Sequence, residues 1–235
     1  MGSCAKQTGQ LRALRMTDRA IVFDLDGTLV ETSDEIWRAL NHVLQSVGRK
    51  PVPLEQALGY VGHGSRVLIE RGFKATGGPV PPDEIDALVA RFIAFYEAHI
   101  GETSRPYPGL IAFLERCQAA GIKMAVCTNK FESLSVKLLD VLDMSRFFGA
   151  VIGPDTIGIR KPDPRPYREA LARIGATGKS VMIGDSETDI LTARNAGVPV
   201  IAVPFGYTPT PVAELGADLV VGHYDSMWDA VQAYI

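Results

Sequence analysis

Hydrophobic positions along this chain follow two different rules. Between residues 33 and 100 they recur at helical spacing: Ile36, Trp37, Leu40, Val43, Leu44 and Val47 make one stripe, and Ile85, Leu88, Val89, Phe92, Ile93 and Tyr96 another. Pro51 and Pro53, Gly62 and Gly64, and the cluster at residues 77–82 interrupt that pattern and predict loops. Elsewhere, short apolar runs rich in strand formers alternate with helical stretches of roughly ten residues. Strands are expected at residues 20–25, 122–127, 150–152, 180–183 and 199–203, with a short last one around 218–221. Helices are expected at residues 110–120, closed by Gly121, and at 133–142, 165–174 and 188–196. Strands that are apolar throughout and separated by helices predict an α/β fold, a parallel sheet covered on both faces, interrupted by an all-helical insertion.

In open sheets of this kind ligands bind beyond the carboxyl ends of the strands, where strand order reverses. Four such ends carry reactive groups. After the first strand comes Asp24-Leu25-Asp26-Gly27-Thr28. Residues two apart on a strand point the same way, so Asp24 and Asp26 face one pocket while Leu25 enters the core. Two carboxylates sharing a site need a cation or a proton between them, which permits one to be an ionised nucleophile and the other an acid. Gly27 releases the chain into a turn, and Thr28 can hydrogen-bond the aspartate loop. Thr128-Asn129-Lys130 follows the strand at 122–127 and offers a hydroxyl and backbone amides to a phosphoryl oxygen. In Lys161-Pro162-Asp163-Pro164, Pro162 biases Lys161 toward an extended backbone, and Asp163 with Pro164 reads as a helix start. Lys161 can then neutralise phosphate or the nucleophile, with Arg160 exposed beside it. Finally, Asp185 ends the strand at 180–183 and Asp189 follows one helical turn later, with Glu187 facing solvent. Oxygen ligands without nearby His or Cys suit a hard cation, and phosphate chemistry makes it magnesium. Each group alone also has a structural explanation, as an Asx turn, a helix cap or a complement to a helix N-terminus. Their succession, each after its own strand, argues against that explanation for all of them.

Composition narrows the partner. The chain has 235 residues, 46% of them hydrophobic, enough for one substantial core and a smaller second unit. Against 27 acidic residues there are 24 Lys and Arg, a net charge of −3, so no basic excess tracks a nucleic-acid backbone and a small molecule is the expected partner. Cys4, Cys117 and Cys127 show neither zinc-site spacing nor a disulfide framework, which points to a reducing cytoplasm. No apolar run approaches the ~20 residues a membrane helix needs. Residues 1–19 hold Lys6, Arg12, Arg15 and Arg19 against Asp18 alone, and read as a disordered extension or a mis-set start, with Met16 the true beginning; a transit peptide is the other reading.

With these motifs in place, the sequence resembles the haloacid dehalogenase-like (HAD) phosphatase superfamily over nearly all of residues 20–222. The resemblance implies a Rossmann-like core at residues 20–32 and 101–235, with residues 33–100 as a helical cap over the pocket. It implies that Asp24 is the nucleophile and Asp26 the acid and base, that Thr128 and Lys161 are catalytic, and that magnesium is held by Asp24, Asp185 and the backbone carbonyl of Asp26. Thr28 and Asp189 would support these groups from behind. The chain is most similar to bacterial phosphoglycolate phosphatases, through Val61-Gly62-His63-Gly64, Pro108-Gly109, Thr128-Asn129-Lys130, Gly184-Asp185-Ser186, Phe205-Gly206-Tyr207 and Gly216-Ala217-Asp218. Related phosphatases for sugar phosphates or pyrophosphate share many of these stretches, and a phosphosugar mutase is a further alternative, against which Thr28 argues. Substrate-binding residues are expected at Thr128, Asn129, Lys161, His63 and Arg66; Arg66 or nearby amides can meet a small carboxylate. The protein is expected to be a monomer or homodimer.

Overall fold

The computed structural model describes residues 18–235. The expected extension at residues 1–19, including Met16, lies outside this range except for its last two residues. Asp18 and Arg19 are tied to the core: the Asp18 carbonyl accepts from Gly178 N–H and the Arg19 carbonyl from Lys123 N–H.

Strand β1 (Ala20–Phe23) is central in the large sheet. Around it pair β4 (Lys123–Cys127) and β5 (Ala150–Ile152) on one side, and β6 (Ser180–Gly184), β7 (Val200–Ala202) and β8 (Leu219–Val220) on the other. The spatial order is β5-β4-β1-β6-β7-β8, and every pairing is parallel. This is the doubly wound α/β sheet that the alternating pattern predicts, and chain order reverses beside β1. Alternation along the strands divides the core. Ile21, Phe23, Met124, Val126, Val181 and Ile183 pack on one face, while Val22, Ala125, Cys127 and Met182 pack on the other. The first face takes α5 (Leu110–Ala119) and α6 (Glu132–Val141), and the second takes α7 (Arg165–Arg173) and α8 (Glu187–Ala196).

Two features escaped the hydrophobic pattern. Val30–Glu31 (β2) and Arg105–Pro106 (β3) form a two-stranded antiparallel ribbon, too short to show a period. A last helix, α9 (Met227–Gln232), covers the core through Met227 and Val231. Between the two ribbon strands lie the helices of the insertion: α1 (Ser33–Ser46), α2 (Leu54–Leu58), α3 (Ser65–Gly77) and α4 (Ile85–His99). Their apolar stripes meet as expected, with Ile36, Leu40, Leu44, Leu88, Phe92 and Tyr96 all buried. Polar side chains lock the joints. The Asn41 amide donates to Val52 O at 3.0 Å and accepts from Val52 N at 2.8 Å. The buried Glu35 carboxylate accepts from the N–H groups of Gly101, Thr103 and Ser104, tying the start of α1 to the returning strand. Among the described residues no helix is long and apolar enough to cross a membrane.

Candidate active site

Backbone pairing continues one residue past the strands and fixes the first reactive groups. Asp24 N–H donates to Ile183 O, and Thr128 N–H to Ile152 O, each at 2.9 Å. Asp24, Thr128 and Asp185 thus stand at the carboxyl tips of β1, β4 and β6, and all three are buried. Lys161 reaches them from the loop before α7 and places its ammonium 2.8 Å from Asp24 Oδ1 and 2.6 Å from Asp189 Oδ1. At 2% exposure, this lysine has no role as a solvated surface charge. The helix start differs by one residue from the expectation: Arg165 is the first helical residue and Pro164 the N-cap, while the Asp163 carboxylate, one residue earlier, accepts from Arg165 N–H at 2.9 Å. Arg160 and Glu187 are exposed.

The second carboxylate pair divides its work. Asp189 Oδ2 accepts from Asp185 N–H, Ser186 N–H and the Ser186 hydroxyl, closing a capping box on α8, while its Oδ1 takes Lys161. Asp189 is therefore saturated by protein donors. Asp185 accepts from Thr28 Oγ1 at 3.1 Å and from Tyr207 N–H at 2.9 Å, which orient its carboxylate. Room for it is made by glycine: a Cβ at Gly27, whose φ is +82°, would lie 2.7 Å from Asp185 Oδ2, and one at Gly206 would collide with the same carboxylate. Oxygens of Asp24, Asp185 and Asp189 lie within 4.8 Å of one another.

Electrostatically this cluster is short of positive charge. Three buried carboxylates against one ammonium would leave two negative charges if all were ionised. Burial, then the Asp189 charge, pushes the Asp24 carboxyl up to about 7 despite Lys161. Asp185 is raised well above the usual carboxylate range by burial and by Asp189 and Asp24. Burial disfavours the Lys161 ammonium, but Asp189 and Asp24 more than offset it and hold the lysine charged. Asp24 Oδ1, although in ion-pair contact with Lys161, has no aligned hydrogen bond among the described residues. An oxygen-only, doubly negative cluster with an unsatisfied oxygen fits a hard divalent cation.

Asp26 lines one pocket with Asp24 but has partners of its own. Its carboxylate accepts from Thr32 Oγ1 at 2.7 Å and from Lys130 Nζ at 2.9 and 3.0 Å. A pocket runs from here between the sheet tips and the insertion, lined by Asp24, Asp26, Thr128, Lys130, Leu68 and Tyr96 among others. Asn129 borders it, but both ends of its amide are engaged: Oδ1 accepts from Lys161 N at 3.0 Å, and Nδ2 donates to Lys161 O and to Gly62 O of the insertion. It pins the Lys161 backbone. His63 sits on a second cavity that Asp26, Asp185 and Tyr207 also line, its Nδ1 3.2 Å from Val61 O. Arg66 does not join either cavity. It is exposed and ion-paired with Asp86 on α4, a partner the local sequence did not suggest. Conversely, Lys130, Thr32 and Tyr207 were given no role from sequence, although Lys130 and Tyr207 belong to quoted stretches.

A family model for haloacid dehalogenase-like hydrolases matches residues 21–203, which holds Asp24, Asp26, Thr128, Lys161, Asp185 and Asp189 but not Tyr207. This chain belongs to that family. Among HAD relatives, a phosphoglycolate phosphatase of Caulobacter vibrioides is 48% identical over 202 residues, covering 86% of this chain and 85% of its own. One of Agrobacterium fabrum is 43% identical, covering 92% and 95%. A crystal structure of a predicted phosphoglycolate phosphatase from Haemophilus somnus superposes with a TM-score of 0.84 at 26% identity, over 92% of this chain and 99% of that one. As a HAD member with these relatives, the chain is a phosphatase.

Proposed function

We propose that this HAD phosphatase hydrolyses 2-phosphoglycolate, with magnesium, through a phosphoryl-aspartate at Asp24, and that the helical insertion is the cap over its pocket. The observation that carries the reading is the doubly negative cluster of Asp24, Asp185 and Asp189 around Lys161, opening onto a pocket shared with Asp26. Asp24, Asp185 and the backbone carbonyl of Asp26 would hold the cation, because Asp189 is already saturated and acts behind them by orienting Lys161 and the Asp185 loop. When bound, magnesium neutralises phosphoryl oxygens and keeps Asp24 ionised.

The chain's own residues account for the remaining steps. Asp24 attacks phosphorus in line and the bond to the leaving oxygen breaks. Lys161 and the Thr128 hydroxyl face the phosphoryl oxygens as charge gathers there. Asp26, which lines the same pocket, delivers a proton to the leaving oxygen. In its ionised form it then takes one from the water that splits the acyl phosphate. The reaction thus uses two carboxylates that the fold holds in different surroundings, Asp24 against Lys161 and Asp26 against Thr32 and Lys130. The relatives' names support phosphoglycolate as the substrate. The test is a panel of phosphomonoesters and pyrophosphate assayed with and without magnesium and ranked by kcat/KM. Magnesium-dependent release of phosphate with phosphoglycolate at the head is the expected result. A higher kcat/KM for a sugar phosphate or pyrophosphate would contradict the substrate, and turnover of none would contradict the reaction.

A further inference from the structure

The substrate's departing half enters a pocket whose walls are mostly apolar, among them Ile36, Leu68, Phe92 and Leu134. Two cations reach this region, and one is committed. Lys161 is held between Asp24 and Asp189, at the phosphoryl end. Lys130 is bound to Asp26, the group assigned to protonate the leaving oxygen, so its ammonium stands one contact beyond that oxygen. A carboxylate one carbon removed from the leaving carbon falls within its reach. An ammonium has three donors, and the Asp26 contacts leave it able to serve a further acceptor.

A second, independent feature points to the same place. Tyr96, from α4 of the insertion, also lines the pocket and is 1% exposed, yet its hydroxyl has no hydrogen-bond partner among the described residues. Buried hydroxyls without partners destabilise a fold and are uncommon. Lys130 Nζ lies 4.2 Å from the centroid of the Tyr96 ring. A charged donor and an orphan hydroxyl are thus neighbours, one following the tip of β4 and the other from the insertion, in a pocket whose other lining donors include the Ser65 and Thr128 hydroxyls.

We propose that Lys130 and Tyr96 together form the subsite that reads the carboxylate of the substrate's leaving group. The proposal rests on the phosphatase reading above and deepens it by assigning the preference for an anionic two-carbon acid to named residues. A carboxylate accepts only, and takes a charge-assisted bond from the ammonium and one from the phenol. Because the two donors come from different parts of the fold, the subsite is complete only with the insertion seated on the sheet tips.

The test compares 2-phosphoglycolate with ethyl phosphate, which carries a methyl group where the former has its carboxylate. kcat/KM is measured on both esters with magnesium for the native protein, Tyr96→Phe and Lys130→Met. The ratio of the two values is expected to favour phosphoglycolate in the native protein, to fall by about 10-fold in Tyr96→Phe and by about 100-fold in Lys130→Met. A native ratio near unity, an unchanged ratio in Tyr96→Phe, or equal losses on both esters in Lys130→Met would overturn the subsite. If Lys130→Met does not fold, Tyr96→Phe, which removes one oxygen, still decides the matter. Absence of turnover of either ester or of p-nitrophenyl phosphate by the native protein would instead sink the phosphatase reading itself.

Discussion

The sheet tips and the helical insertion face each other across one pocket but are built on opposite principles. At the tips, polar side chains are crowded and bonded to one another: Asp189 alone takes three donors on one oxygen and an ammonium on the other. On the insertion side the wall is mostly apolar, and its buried Tyr96 hydroxyl has no hydrogen-bond partner among the described residues. The difference teaches that reaction and selection are separated. The tips must hold charge rigidly before a substrate arrives, since preorganised dipoles and charges are what stabilise a developing transition state. The insertion need only exclude water and offer a few donors that a particular leaving group completes.

Substitutions should expose that asymmetry. The largest effect is expected for Asp24→Asn, which removes the proposed nucleophile and should lower kcat on every ester by on the order of 10⁴ or more in steady-state assays. Lys161→Met comes next. Besides a large loss of kcat, it leaves Asp24 and Asp189 buried without their cation, at a cost of about 3 kcal/mol in denaturant unfolding. Thr128→Val should cost about 10² to 10³ in kcat with the fold intact by circular dichroism. Substituting the insertion is expected to act differently. Asn41→Ala breaks two buried hydrogen bonds to Val52 and should cost about 1–3 kcal/mol of stability with little change in kcat on p-nitrophenyl phosphate. A loss of kcat there as large as for Thr128→Val would abolish the distinction between the two regions.

A pH experiment sharpens it from the charge side. The Asp24 carboxyl is raised from 3.8 to about 7, so the metal-free fold holds a proton that the unfolded chain gives up. Its contribution to stability is complete below pH 3.8 and is lost as pH rises through about 7. Magnesium needs the ionised carboxylates and must displace that proton below neutrality. The upward shift in Tm on adding magnesium should therefore be small near about pH 5 and larger near about pH 8 in calorimetric scans. A shift independent of pH would contradict a cation seated on Asp24 and Asp185.

The same contrast explains what could be read from the sequence. Asp24, Thr128 and Asp185 were legible because backbone position alone decides where they go: a strand tip points its first residues at the crevice whatever the rest of the chain does. Lys161 was legible from Pro162 and the helix start that follow it on its loop. Thr28 and Asp189 were legible for a similar reason, being local to those tips. Arg66 was misleading because its ion-pair partner, Asp86, lies on another helix that the spacing around residues 62–66 does not reveal. The Lys130 contacts to Asp26 and Tyr96 bring together three elements distant in sequence, and the link from Tyr207 to Asp185 spans 22 residues. The ribbon of Val30–Glu31 with Arg105–Pro106 was invisible because two residues carry no period.

The central claim, a phosphoryl group carried on Asp24, can be tested in one experiment. Asp26→Asn lacks the proposed base for water, while p-nitrophenolate leaves without needing an acid, so this variant and p-nitrophenyl phosphate should let the acyl phosphate accumulate. After rapid acid quenching and digestion, mass analysis is expected to find the added mass of one phosphoryl group on the peptide containing Asp24 and on no other. Released nitrophenol with no phosphorylated peptide, or with the phosphoryl group on a different residue, would contradict the mechanism.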